Sequence, residues 1–423
     1  MTPSIAVRPA ISRFRWTICA LLFFATTINY VDRQVLSLLA KTLEVHIGWD
    51  DIDYSRITAA FTAAYAIGLF FAGRLIDTLG TRKGYASAVT VWSVAAMAHA
   101  AAVSAFTFGL ARFFLGIGES ANFPACIKTV AEWFPKKERA LATGIFNSGA
   151  NIGAVVAPLA VPWMAVTFGW QSAFIATGLL GFLWLVFWML LYAKPENHPR
   201  VSAKELAYIQ SDPPDPVQSV PWARLFPLRE SWAFIMGKFL TDPIWWFYLF
   251  WLPKYLQDTF GLTLLQISLP VLVVYNVSSV GSIAGGWLSG SLLRRGWSLN
   301  ASRKTAMLIC ALAVLPVIYA PYSKSLWMVV ALISLATAAH QGWSANLFTL
   351  VSDTFPRSAV GSVVGIGGTG GAIGGVLLQL AAGYIVELTH SYLALFIISG
   401  LAYLLALAII QGLSPKLEMA NIE

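Results

Sequence analysis

Twelve apolar blocks, each long enough to be a membrane-crossing helix, run through the chain with only short polar connections between them. They lie at about residues 14–40, 55–77, 84–104, 106–131, 138–164, 169–193, 230–256, 264–292, 303–320, 325–350, 358–387 and 390–413. A helix crossing the hydrocarbon core uses about 20 apolar residues. Of 423 residues, 57% are hydrophobic, enough for about twelve such helices. Only 11% are charged, against roughly 25% in a soluble domain. A cytosolic enzyme, a disordered chain and a disulfide scaffold are all excluded. The expected fold is an all-α membrane protein.

The net charge of +8 does not point to nucleic acid, because the basic residues are scattered among the connections and form no dense run. Cys19, Cys126 and Cys310 each sit inside an apolar block and have neither metal nor redox spacing. No cofactor motif is present, so no cofactor is expected. Arg8, Arg13 and Arg15 precede the first block, and no small-residue cleavage site follows at the right distance. That block is therefore read as a retained span.

The longest polar connection, 194–229, is rich in proline and charge and separates the blocks six and six. It divides the chain into an N-terminal half (1–193), a linker (194–229) and a C-terminal half (230–423). Ser202 with Glu205 three residues on predicts a short surface helix over 202–210. If the N-terminus is cytoplasmic, the cytoplasmic connections hold 20 Lys and Arg and the opposite side holds four: Lys41, Arg56, Lys254 and Lys324. This asymmetry predicts that both termini are cytoplasmic.

The halves repeat. Glu132-Trp133-Phe134-Pro135 is matched by Asp353-Thr354-Phe355-Pro356, and Ile152-Gly153 by Ile373-Gly374 at the same offset of 221. Chance among glycine-rich helices is the alternative; several positions in one register favour duplication. Two pseudo-symmetric six-helix halves around a central site form a transporter architecture.

Gly73-Arg74-Leu75-Ile76-Asp77-Thr78-Leu79-Gly80-Thr81-Arg82-Lys83, between blocks two and three, resembles the G-x-L-x-D-x-x-G-x-R-K signature of the major facilitator superfamily. In that reading Gly73 permits close helix approach, Asp77 caps a neighbouring helix and Arg82 and Lys83 hold the cytoplasmic side. A weakened copy runs from Gly286 to Arg295, with Gly290 in place of the Asp. Asn29-Tyr30-Val31-Asp32-Arg33 and Arg112-Phe113-Phe114-Leu115-Gly116-Ile117-Gly118-Glu119 resemble the anion:cation symporters, porters of sugar acids and related organic anions. Glu132-Trp133-Phe134-Pro135 and His340-Gln341-Gly342-Trp343-Ser344-Ala345-Asn346 are more similar to the hexuronate branch. Span eleven, by contrast, is glycine apart from Thr369 between Gly367 and Gly371, where galactonate-type porters carry polar substrate contacts.

Ionisable residues at membrane depth face a cavity or find a partner. Arg33 is expected to bind a substrate carboxylate, sharing a helix face with Asn29 and Tyr30. Asp32 is turned about 100° from it and is expected to carry a proton. A structural ion pair with another helix is the alternative for both. Arg112 and Glu119 share a face seven residues apart, about 10.5 Å along the axis, too far to pair directly. The resemblance makes Glu119 the first choice for a proton site and leaves Arg112 as either a gating or a structural group. Lys128, nearer a span end, is expected to snorkel.

Tyr65 stands where the family places a substrate contact; capping a neighbouring carbonyl is equally open. Asn147 and Asn151, one turn apart, could bind sugar hydroxyls or hold helices together. Trp245 and Trp246, after Pro243, could stack on a sugar ring. Gln341, Trp343 and Asn346 are further binding candidates, with His340 a weaker one. Lys238 and Asp242, at i and i+4, are expected to bridge each other. The eight glycines from Gly361 to Gly375 lie within an apolar span and lack a phosphate loop's Lys-Ser/Thr ending, so close helix packing and bending are expected.

The resulting expectation is a monomeric, proton-coupled importer of a small organic anion, first a hexuronate, in a bacterial inner membrane. Porters of galactonate, glucarate or an aromatic carboxylate are the alternatives within transport. Nothing resembles a metal-ligand cluster, a nucleophile with its base or a nucleotide loop, which argues against a membrane-embedded enzyme. A sensor that keeps the transporter fold is the remaining alternative.

Overall fold

The computed structural model describes residues 13–212 and 221–421, without the side chains of residues 136, 137, 140, 222, 357 and 358. The N-terminal Arg8 and the linker prolines at 213, 214 and 216 lie outside the described residues.

The first half contains α1 (Phe14–Ile47), α2 (Asp51–Ala98), α3 (Ala105–Ser120), α4 (Asn122–Trp133), α5 (Lys136–Phe168) and α6 (Trp170–Leu191). The linker carries α7 (Ala203–Ile209) and α8 (Trp222–Leu225). The second half contains α9 (Arg229–Phe260), α10 (Ser268–Arg294), α11 (Leu299–Val314), α12 (Leu326–Thr354), α13 (Arg357–Thr389) and α14 (Leu393–Leu413).

These helices make the twelve expected spans. α2 holds spans two and three, joined through Gly80, whose φ of 75° and ψ of 154° break the helix. An L side chain rarely adopts that backbone, which explains a glycine at this point of the signature. α3 and α4 together form span four, and α11 is completed by a 3-10 stretch, Leu315–Tyr322. Among the described residues nine helices pass as membrane spans on length and apolarity alone. Span three is merged into α2, span four is interrupted near Ser120, and span seven carries Lys238 and Asp242.

Helix ends follow local chemistry. Asp50 caps α2 by accepting from the Asp53 N–H at 2.7 Å, and Gly48 closes α1 in the left-handed conformation. In the linker, Ser202 caps α7 as expected, accepting the Glu205 N–H at 3.2 Å. Glu205 also accepts from the Arg15 side chain at 3.1 Å and from the backbone N–H groups of Phe14 and Arg15. The surface helix thus pins the start of α1.

The repeat is visible in the packing. A Cβ on Gly149 or Gly153 of α5 would strike the Phe23 and Thr27 carbonyls of α1. Gly370 and Gly374, 221 residues on, stand against Ile235 and Phe239 of α9 in the same way. Small residues let these backbones approach where apolar side chains gain nothing from leaving lipid.

The two halves meet along α2 with α13, α1 with α9 and α5 with α10. Hydrogen bonds and ion pairs joining them cluster at the end carrying Lys41, Asp51 and Lys254. Lys254 Nζ, its side chain 3% exposed, lies 3.0 Å from Glu44, 2.8 Å from Asp51 and 2.8 Å from Asp258. Lys41 bridges Asp258 at 3.0 Å and Glu44 at 2.7 Å. Tyr54 donates to the Phe250 carbonyl at 2.6 Å, and Thr58 to Gln379 at 3.2 Å. This end is sealed.

Candidate functional site

Between the halves lies a cavity of about 880 Å³, of the size that holds a small organic ligand. Its first wall comes from α1, α2 and α4 and includes Tyr30, Arg33, Tyr65 and Arg74. Its second comes from α9, α12 and α13 and includes Lys238, Asp242, Trp245, Trp246, His340, Gln341 and Ser344. The exposed Arg74 lines it toward the end opposite the sealed one.

Arg33 is the centre of the first wall. Its Nε donates to Glu119 Oε2 at 2.6 Å, and both side chains are buried. The guanidinium carbon lies 4.5 Å from the Tyr65 ring centroid, 5.0 Å from Tyr30 and 5.7 Å from Phe61. Aromatic faces attract a cation without neutralising it, so the guanidinium is held in place and keeps donors for an anion. The structural partner allowed for in the sequence is therefore real, and it is Glu119. Glu119 stands behind Arg33 and does not line the cavity.

Arg112 and Glu119 do not bridge, in keeping with their separation along the helix. Arg112 packs 5.8 Å from the Phe61 ring. Its three guanidinium nitrogens are buried and have no hydrogen-bond partner among the described residues. Asp32 is buried beside Thr177 of α6, with neither carboxylate oxygen in hydrogen-bond geometry. Both lie behind the cavity wall.

In the second half α12 presents His340, Gln341, Ser344 and Phe348 to the cavity. At 100° per residue these four fall within one 100° sector. Trp343 and Asn346 do not share it. Trp343 is buried, with its ring 5.5 Å from Tyr403. Asn346 donates to the Gly285 and Gly342 carbonyls at 3.0 and 2.9 Å, which clips α12 to α10. Both were expected to contact substrate and instead pack helices. Ser344 and Phe348 were missed, although the i, i+4, i+8 spacing from His340 contained the signal.

Trp245 stacks on His340 at 5.3 Å, with the rings 8° apart. His340 Nδ1 lies 2.7 Å from the Tyr403 hydroxyl. Trp246 meets Tyr65 edge-on at 6.1 Å across the two halves. Asn147 and Asn151 are exposed and outside this lining. They project from the side of α5 opposite the Gly149 and Gly153 seam.

The signature loop differs in detail from its expected roles. Asp77 caps no helix; its Oδ1 takes Lys128 Nζ at 2.6 Å. Lys128, expected to snorkel, also donates to the Ile76 carbonyl at 3.3 Å. A Cβ on Gly73 would meet nothing within 4 Å, so no close approach depends on it here. Arg82 donates to the Met189 carbonyl at 2.5 Å, while the Trp188 indole donates to the Arg82 carbonyl at 3.1 Å. Lys83 is exposed.

Residues 22–378 match the Major Facilitator Superfamily. The chain is 30% identical over 421 residues to the hexuronate transporter of Escherichia coli (strain K12), covering 97% of each. It is 31% identical over 401 residues to a probable galactarate/D-glucarate transporter of Bacillus subtilis (strain 168), covering 89% of this chain and 87% of that one. A solved structure of a bacterial homolog of the human lysosomal transporter Spinster, inward-facing and occupied, superposes with a TM-score of 0.76 at 18% identity. That match covers 96% of this chain and 98% of the other. The twelve spans, the repeated α1–α5 and α9–α13 seams and the cavity between the halves agree with these likenesses: the chain is an integral membrane protein of the Major Facilitator Superfamily, a transporter and not an enzyme.

Proposed function

We propose that the protein is a proton-coupled symporter that imports a sugar acid by alternating access, with a hexuronate as the first substrate to test. The observation that carries this reading is the buried Arg33–Glu119 pair, with Arg33 lining the cavity and Glu119 behind it. A guanidinium fork matches a carboxylate, and here it is already held by two tyrosine rings. Glu119 accepts the Arg33 Nε–H, so the charge on Glu119 governs how firmly Arg33 is held. Protonation of Glu119 releases Arg33 to the substrate carboxylate, so proton and substrate load together. Asp32, buried on the next face of α1, is a second proton carrier, and the buried Arg112 belongs to the same proton-coupling group. Tyr30, Tyr65, Trp245, Trp246 and Gln341 surround the sugar.

The positive-inside count supports a sealed end on the outside and both termini in the cytoplasm of a bacterial inner membrane; in that orientation this conformation is inward-facing. The halves flanking residues 194–229 rock as units, and a monomer suffices for this. The likeness to a galactarate/D-glucarate transporter supports the hexarates as a second substrate class. Labelled galacturonate uptake into proteoliposomes tests the reading. An acid-outside gradient should drive accumulation, and collapse of that gradient should leave only equilibration. Absence of uptake for every uronate and hexarate would overturn the sugar-acid assignment.

A further inference from the structure

Phe61 is fully buried and stands outside the cavity lining. It lies on one stripe of α2 with Asp51, Tyr54, Thr58 and Tyr65, which fall within about 80° of the helix circumference. Each of these residues meets the other half. The facing stripe on α9 is Trp246, Phe250 and Lys254, spaced four residues apart. From the cavity toward the sealed end the order is Tyr65 on Trp246, Phe61 on Phe250 and Asp51 on Lys254. Phe61 is thus the middle layer, between the cavity wall and the ionic cluster.

Its ring also meets the charges of its own half. The guanidinium carbons of Arg33 and Arg112 lie 5.7 and 5.8 Å from its centroid, within the roughly 6 Å over which an aromatic face attracts a cation. Across the interface the ring stands 5.9 Å from Phe250 at 77°, and 6.3 Å from Trp246 at 55°. Gly116 of α3 lies between Arg112 and Glu119 on one helix face, and a Cβ added to it would stand 2.5 Å from the Phe61 carbonyl. A shift of α3 or of either guanidinium therefore reaches this ring directly. Edge-on aromatic contacts depend on ring tilt, so the displacement is passed to Phe250.

We propose that Phe61 is a positioning residue that ties the state of the Arg33–Glu119 pair to the sealed end. While ionised Glu119 holds Arg33 at 2.6 Å, two cations fix the tilt of the phenyl ring, and that tilt makes the edge-on contact with Phe250. With Glu119 neutral, Arg33 is free to move into the cavity and the ring keeps one cation. The contact with Phe250 then loosens. Phe250 also accepts the Tyr54 hydroxyl through its carbonyl at 2.6 Å, so a second link across the halves loosens with it. Lys254, one turn further along α9, carries the third. Neutralising Glu119 therefore weakens the seal in protein that holds no substrate.

The test is a double-mutant cycle read with spin labels placed on the two halves at the sealed end. Purified full-length protein is measured in liposomes at one neutral pH, without substrate. Glu119→Gln fixes the neutral form chemically, so the cycle needs neither a proton gradient nor a cargo and is independent of the symport reading. Glu119→Gln should raise the ratio of open to closed molecules at least fivefold. In a Phe61→Leu background, which keeps an apolar side chain but no aromatic face, the same change should alter the ratio less than twofold. Phe61→Tyr keeps the face and should retain most of the response. Independent sites add, so an equal Glu119→Gln effect with and without the Phe61 ring would overturn the proposal. So would a Glu119→Gln protein with the wild-type ratio. If Phe61→Leu does not fold, trifluorophenylalanine at position 61 decides, since it keeps the ring's shape and drains its face of electron density. An undiminished Glu119→Gln effect there rejects the coupling.

Discussion

Replacing Lys254 by methionine should open the sealed end. The ammonium sits 2.8–3.0 Å from Glu44, Asp51 and Asp258, and its side chain is 3% exposed. Methionine fills similar volume but leaves three carboxylates facing one another. Loss of one partner from a buried ion pair costs about 3–5 kcal/mol. Asp258 and Glu44 keep Lys41, itself 40% exposed, so the lower bound of about 3 kcal/mol applies. Glu44 and Asp51 belong to one half and Lys254 and Asp258 to the other, so the cost of losing Glu44 and Asp51 as partners falls on the closed arrangement. At about 1.4 kcal/mol per decade, the equilibrium between closed and open ends shifts by roughly a hundredfold. Spin labels placed on the two halves at this end, read as a distance distribution in liposomes, should move from a short to a long population. Lys254→Met combined with Asp51→Asn, which neutralises the carboxylate left without a cation, should return part of it. An unchanged distribution in Lys254→Met would mean that apolar packing, and not the ionic cluster, holds this end shut.

Arg33→Gln should weaken substrate binding by about 3 kcal/mol, roughly two decades in Kd, from the loss of charge-assisted hydrogen bonds; Arg33→Lys should fall between, and unchanged affinity in a folded Arg33→Gln protein would refute the anchor. Glu119→Gln should abolish uphill, pH-dependent uptake while preserving substrate exchange in proteoliposomes, and residual gradient-driven accumulation would show that Glu119 is structural. Asn346→Ala should cost about 1–3 kcal/mol of stability in thermal unfolding, because it removes a clip between α10 and α12, with substrate affinity unchanged. Gly153→Leu should fail to assemble or lose thermal stability, because the added side chain meets the Thr27 carbonyl and the Tyr30 side chain; wild-type stability would refute the seam.

The spans, their number and the duplication were legible because apolar length and glycine register are one-dimensional properties. Arg33 and Glu119 were also legible, since a charge at membrane depth needs a reason to be there. Their mutual contact was not, because it depends on how α1 and α3 are rotated about their axes. The same rotational uncertainty misplaced Trp343 and Asn346, which sit on the same helix as His340 but outside its 100° sector. Asp77 and Lys128 were each read against their own helix, while their partners turned out to be each other, 51 residues apart. That Lys238 lines the cavity was hidden because its bridge to Asp242, four residues on, already accounted for its charge.

The glycine-rich helix α13 has two faces with different tolerances. Gly370 and Gly374 are filled to contact by α9, so a side chain there would push helices apart. Gly361 and Gly368 line the cavity, and a Cβ at either would meet nothing within 4 Å. On that second face a methyl or hydroxymethyl group would subtract room from the cargo while leaving the helix packing alone. On the proposed reading of the cavity, descendants of this chain can therefore change the size of what they carry by single substitutions that the scaffold does not register. Selectivity and stability are written on opposite sides of one helix and are free to evolve separately.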